Sequence, residues 1–201
     1  ELRALLPEYV ARLDWSVERL RQERERGLRE LLRVARERSP WYRRRLADVD
    51  PATVTEADLA RIPPMTKADL MGHWDEIVTD RRLNLARVNA HLDGLTTDQY
   101  LLDEYHGVAS GGSSGLRGVF VYDRAAWTRY GIMLVRWGFR NRAGVAGPAG
   151  APAISAHVSA GHATHLSSAI QQTFTDPGMP IHSFPITLPI DRIVAGLNDL
   201  Q

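Results

Sequence analysis

Residues 100–123 read Y-L-L-D-E-Y-H-G-V-A-S-G-G-S-S-G-L-R-G-V-F-V-Y-D, and this stretch decides the fold class. Tyr100 to Ala109 carries the aromatic and aliphatic residues of a strand, and Val119 to Tyr122 is a β-rich run. Between them Ser110 to Gly118 is almost entirely Ser and Gly. Glycine reaches positive φ without a Cβ clash, so successive N–H groups in such a loop can converge on an anion. The hydroxyls of Ser110, Ser113 and Ser114 add donors, and Arg117 adds a planar, charged fork. These are the parts of a phosphate clamp. The same composition describes a flexible Gly/Ser hairpin or linker equally well. A Walker A loop needs G-K-[ST] leading into a helix, and here a β-rich run follows; a dinucleotide fingerprint fails for the same reason.

Towards the C-terminus the pattern alternates. Trp127, Tyr130, Leu134 and Trp137 fall at offsets of a helix face and are read as core packing. A Gly/Ala/Pro loop follows at 143–152, then a short strand at 153–159. A helix is expected from Gly161 or His162 to Phe174, a turn at Pro177 to Pro180, a strand at 181–184, and a last helix over 190–200 with Pro189 at its first position. Strands alternating with helices predict a parallel α/β organisation.

Towards the N-terminus the texture is helical. Leu13, Val17, Leu20, Leu28, Leu31, Leu32 and Ala35 recur at helical spacing until Ser39 and Pro40 stop the run. Residues 23–27 are almost wholly charged and read as exposed or bent. Thr55 with Asp58, and Thr66 with Asp69, match the N-terminal capping pattern. Asn84 is placed to cap a further helix through His91. The expected organisation is a helical region over 1–92, followed by an α/β segment over 93–201 that carries the loop.

The chain has 201 residues and a net charge of +1, which argues against a nucleic-acid binder or a polybasic membrane-surface protein. Residues 1–50 hold 13 Arg against 10 acids, but the acids are interleaved, as on a solvated helix face. Lys67 is the only lysine, so any lysine chemistry in this chain belongs to it. With no cysteine, disulfides, thiolate metal sites and thiol nucleophiles are excluded. Apolar residues make up 44%, enough for a folded core. No run approaches the ~18–20 apolar residues of a membrane span, and ELRALLPEYV does not read as a signal peptide. A soluble, cytoplasmic protein is expected. The first residue is not Met, which is read as trimming of a longer protein.

Three strings carry a family resemblance. A-S-G-G-S-S-G-L-R-G-V-F-V-Y-D at 109–123 resembles the Ser/Thr/Gly-rich phosphate loop of the adenylate-forming enzymes, roughly [ST]-S-G-[ST]-[ST]-G-x-P-[KT]. Gly112, Ser113, Ser114 and Gly115 match its centre, while the family's Pro and following Lys or Thr are here Arg117 and Gly118. S-P-W-Y-R-R-R-L at 39–46 and I-P-P-M-T-K-A-D-L at 62–70 are similar to S-P-[FY]-Y-R-x-x-[FL] and L-P-x-[TL]-[TS]-K-x-D-L of the phenylacetate–CoA ligase branch. The matches occur in the family's order and cover residues 39 to 122.

The resemblance implies an α/β fold and the front portion of a larger ligase. Such an enzyme activates a carboxylic acid with ATP and Mg, then passes the acyl group to CoA or another nucleophile. Ser110, Gly111, Gly112, Ser113, Ser114, Gly115 and Arg117 would hold the phosphates. The family's adenine-contacting segment, magnesium-binding Glu, ribose-binding Asp and C-terminal Lys would lie after residue 201, so this chain alone is expected to be inactive. A homo-oligomer is compatible with this reading. The alternatives are a non-catalytic nucleotide-binding module, or a helical interaction protein recruiting partners through its Arg-rich helix.

The histidines are the other candidate cluster. H-A-T-H at 162–165 has i, i+3 spacing, so both rings could share a helix face, with His157 as a third ligand for zinc. The spacing lacks the H-E-x-x-H signature, capping or solvent-facing rings suffice, and no metal is assigned. By resemblance His162 lies near the acyl pocket and is a candidate substrate contact. No G-x-S-x-G elbow supports a nucleophilic serine.

Overall fold

The computed structural model describes residues 1–112, 115–142, 154–174 and 181–200. Ser113, Ser114, the 143–152 loop and the 177–180 turn lie outside the described residues. The described chain is mixed α/β and gathers into two compact units, each made of separate stretches of sequence.

One unit comprises residues 14–90 and 112–119. Its long helix α2, Val17–Arg38, starts where Ser16 Oγ accepts the Arg19 N–H and stops at Ser39. The helix continues through the charged stretch at 23–27, because i,i+3 pairs such as Arg26–Glu23 satisfy the charges along its surface. Ser39 closes α2 and opens α3, Pro40–Arg45, where its hydroxyl accepts the Tyr42 N–H. Leu32, Leu46 and Val54 form the core beside these helices, packed by Leu28, Ala35, Tyr42, Val49 and Ile62.

Both Thr/Asp capping boxes form. Thr55 and Asp58 open a 3₁₀ turn at Glu56–Arg61, and Thr66 and Asp69 open α4, Lys67–Gly72. The Thr66 hydroxyl and N–H both donate to Asp69 and hold its carboxyl below the usual range. Helix α5, Trp74–Ile77, follows at once. Asn84 Oδ1 accepts the Arg87 N–H and caps α6, Leu85–Asp93.

The other unit comprises residues 1–13, 91–111 and 120–201. Its N-terminal helix α1, Leu2–Ala11, packs along α7, Arg124–Arg142. Strand β1, Tyr105–Ala109, pairs with β2, Val119–Asp123. The strand begins later than Tyr100 because Leu102 and Asp103 turn through positive φ, at 55° and 57°. Beyond α7, β3, Ser155–Ser159, leads into α8, Leu166–Thr173, and then β4, Ile181–Pro185.

Strands β3 and β4 are parallel, with Ser155 opposite Ile181 and Ser159 opposite Pro185, so β3–α8–β4 is a crossover unit. The expected parallel arrangement is found there. Among the described residues, however, the strands form two separate two-stranded sheets. The final helix α9, Ile190–Asn198, takes Pro189 as its N-cap, one residue before the expected position. Val108, Trp127 and Ala169 centre the core of this unit, with Tyr100, Tyr122, Tyr130, Leu166, Ile170 and Phe174 around them. Among the described residues no helix is long and apolar enough to cross a membrane.

Candidate functional site

The Ser/Gly loop leaves β1 at Ala109. There the Ala109 N–H donates to the Thr164 carbonyl (2.9 Å), tying the strand's end to the turn before α8. A Cβ placed on Gly111 would lie 3.4 Å from His165 Cε1, within van der Waals contact, so the loop's first glycine runs beside this ring. Ser110 and Gly111 thus sit at the C-terminal end of β1, beside the residues that leave β3.

The rest of the loop belongs to the other unit. Gly112 and Gly115 have φ of +72° and +81°, a region open to glycine and costly for other residues. The Gly115 N–H donates to the Gly112 carbonyl (2.8 Å). A Cβ on Gly112 would come within 3.8 Å of the Arg117 backbone and Cβ, so the half-buried Arg117 packs beside Gly112.

The loop's exit is held through two carbonyls. Lys67 Nζ donates to Leu116 O (3.2 Å), and Trp74 Nε1 donates to Val119 O (3.0 Å). Trp74 and Val119 are buried; Lys67 is exposed. In sequence Lys67 is far from the loop, and spacing carried no sign of this contact. The three family-like strings are chained in the same way. Arg45, of the 39–46 string, donates to the Pro64 carbonyl (2.7 Å) of the 62–70 string, and Lys67 of that string reaches the loop.

The histidines do not gather. His157 Nδ1 bonds Gln171 Oε1 (2.7 Å), whereas His162 is exposed with Nδ1 on Thr164 Oγ1 (2.9 Å). The expected helix start at 161–162 is corrected to Leu166. His162 Nδ1 also accepts the Thr164 N–H (3.3 Å), and the Thr164 carbonyl accepts from the distant Ala109 N–H, so one local and one long-range bond replace the helical ladder. His162 and His165 consequently share a turn rather than a helix face. Among the described residues no group of three or more His, Asp or Glu is placed to hold a metal ion.

One buried pair escaped the sequence reading. His106, on β1, is 1% exposed and stacks on Trp127 (4.1 Å between centroids), with Tyr100 at its edge. Its Nε2 bonds Asp98 Oδ1 (2.6 Å). Burial pushes the imidazole pKa down, and the bond to Asp98 only partly offsets this. The available signal was a histidine inside a strand-like run, which does not reveal its partner eight residues upstream.

A groove of about 900 Å³ runs beside α2. Its guanidiniums are engaged by the chain itself: Arg33 bridges Glu30 and Glu37, Arg29 donates to Val54 O, and Arg36 donates to Val49 O. This is the chemistry of a solvated helix face braced to its own neighbours. No protein-family model matches the chain, and no curated protein matches it in sequence.

Proposed function

We propose that the chain is the front part of an ATP-dependent ligase that activates a carboxylic acid as an acyl-adenylate and then forms a thioester, with CoA as the acceptor. In the first step a carboxylate oxygen attacks the α-phosphorus, the bond to the β-phosphate bridging oxygen breaks, and pyrophosphate leaves with that electron pair. The loop's task is to hold the β- and γ-phosphates and offset the charge that grows on the leaving group. Ser110, Ser113 and Ser114 supply hydroxyls; Gly111, Gly112 and Gly115 supply backbone N–H groups and close approach; Arg117 supplies charge. The loop has no carboxylate, and by resemblance the Glu that would bind Mg lies after residue 201. His162, exposed on the turn after β3, is kept as the substrate contact. ATP and CoA as substrates fit a cytoplasmic enzyme.

The observation that carries this reading is the chaining of the three strings: Arg45 to Pro64, then Lys67 to Leu116. Strings that resemble one family in sequence order also bond to one another around the loop, which a linker would not require. Exchange of labelled pyrophosphate into ATP by the full-length protein, with a panel of aliphatic and aromatic carboxylic acids, tests the reaction. Exchange that depends on an acid is the expected result. Nucleotide binding with no acid-dependent exchange would instead favour the non-catalytic module.

A further inference from the structure

We infer that Lys67 is a positioning residue for the Ser/Gly loop: it holds the loop's exit limb through the Leu116 carbonyl and so sets the affinity for a polyphosphate. The inference rests on the function proposed above, and it adds a part for the one lysine of the chain. A loop of Ser and Gly has high conformational entropy, and a phosphate nest must be ordered before its N–H groups converge. Whatever orders it beforehand strengthens binding.

The structure supplies two anchors on consecutive helices. Lys67 reaches Leu116 O from the first turn of α4, and Trp74 reaches Val119 O from the first turn of α5. Both donate to main-chain oxygens, so the hold is independent of the loop's side chains. Between the anchored carbonyls lie Arg117 and Gly118, and just before them lies Gly115, whose N–H donates to the Gly112 carbonyl. Lys67 is itself fixed at its base, because Thr66 and Asp69 form the capping box around the first residue of α4. An ammonium here also brings a positive charge to the loop, where a polyphosphate would profit from it.

The test uses the full-length protein with magnesium pyrophosphate as the probe, and follows hydrogen exchange across residues 115–119. Lys67→Met keeps most of the side-chain volume and removes the donor; Lys67→Arg restores a donor and the charge. In the Met variant, pyrophosphate binding is expected to weaken roughly three- to tenfold, the size of one charge-assisted bond open to solvent. Exchange at 115–119 should rise, the thermal midpoint should stay unchanged, and Arg should recover most of the loss. Trp74→Phe, which keeps the ring and removes the N–H, should raise exchange in the same segment. Binding and exchange in Lys67→Met equal to wild type would overturn the inference, as would a loss that follows global unfolding and is not rescued by Arg. Wild-type protein that binds no pyrophosphate, while its loop still loosens in Lys67→Met, would overturn the proposed function and leave the anchor standing.

Discussion

At the scale of single residues, His106 illustrates how burial and pairing compete. Asp98 favours the imidazolium, and enclosure between Trp127 and Tyr100 disfavours it. Enclosure wins, so the folded pKa lies below the unfolded value of 6.5. His91 adds a small push in the same direction, and Arg124 stands over the Tyr100 ring. A depressed imidazole contributes stability that is fully present above the unfolded pKa and is lost as pH falls through the folded one. Urea unfolding between about pH 7 and pH 5 should therefore show stability dropping with acid, and His106→Gln should flatten that slope. An unchanged slope in the variant would refute the account of this residue. The sequence shows His106 only as a histidine in a strand-like run, since Asp98 joins it through the turn at Leu102 and Asp103 rather than through any periodic spacing.

At the scale of elements, legibility followed the range of the interaction. The Thr55/Asp58 and Thr66/Asp69 boxes, the Asn84 cap and the stop at Ser39–Pro40 involve neighbours three or four residues apart, and all formed as read. Helix α7 shows where such reasoning ends. Its spacing placed Trp127, Tyr130, Leu134 and Trp137 on one face, yet Trp127 is 1% exposed, whereas Leu134 and Trp137 are 53% and 60% exposed. Periodicity identifies a face but not how far a neighbour extends along it. Val108, Ala169 and Phe174 cover the first turns, and the expected core packing of Leu134 and Trp137 is not found.

The same helix offers a matched pair of glycines. A Cβ on Gly131 would run into the Phe174 ring, while Gly138 has open space around it. Gly138→Ala should stabilise the protein by about 0.5–1 kcal/mol through helix propensity. Gly131→Ala should instead destabilise it by roughly 1–3 kcal/mol, because overpacking against the ring exceeds that gain. Chemical denaturation of both variants reads the difference in sign. Equal stabilisation by the two would show that Phe174 yields freely.

At the scale of the whole molecule, the alternation of strands and helices was enough to predict a mixed α/β chain, and β3–α8–β4 has the parallel crossover that alternation implies. The division of the strands into two pairs was not legible, because strand partnership depends on residues far apart in sequence. The Ser110–Arg117 loop stands out in the sequence as a string, but the residues that hold it do not. Lys67 lies 49 positions from Leu116, and Trp74 lies 45 from Val119, so only the folded chain reveals them.

The proposed function requires that this mounted Ser/Gly loop hold the phosphates of a nucleotide. Calorimetric titration of the full-length protein with ATP–Mg, beside the Ser113→Ala/Ser114→Ala double variant, tests it most directly. One nucleotide should bind per chain, with affinity at least about tenfold weaker in the double variant, as expected when two hydroxyl donors to phosphate are lost. Absence of binding by the wild type, or equal affinity in the two proteins, would contradict it.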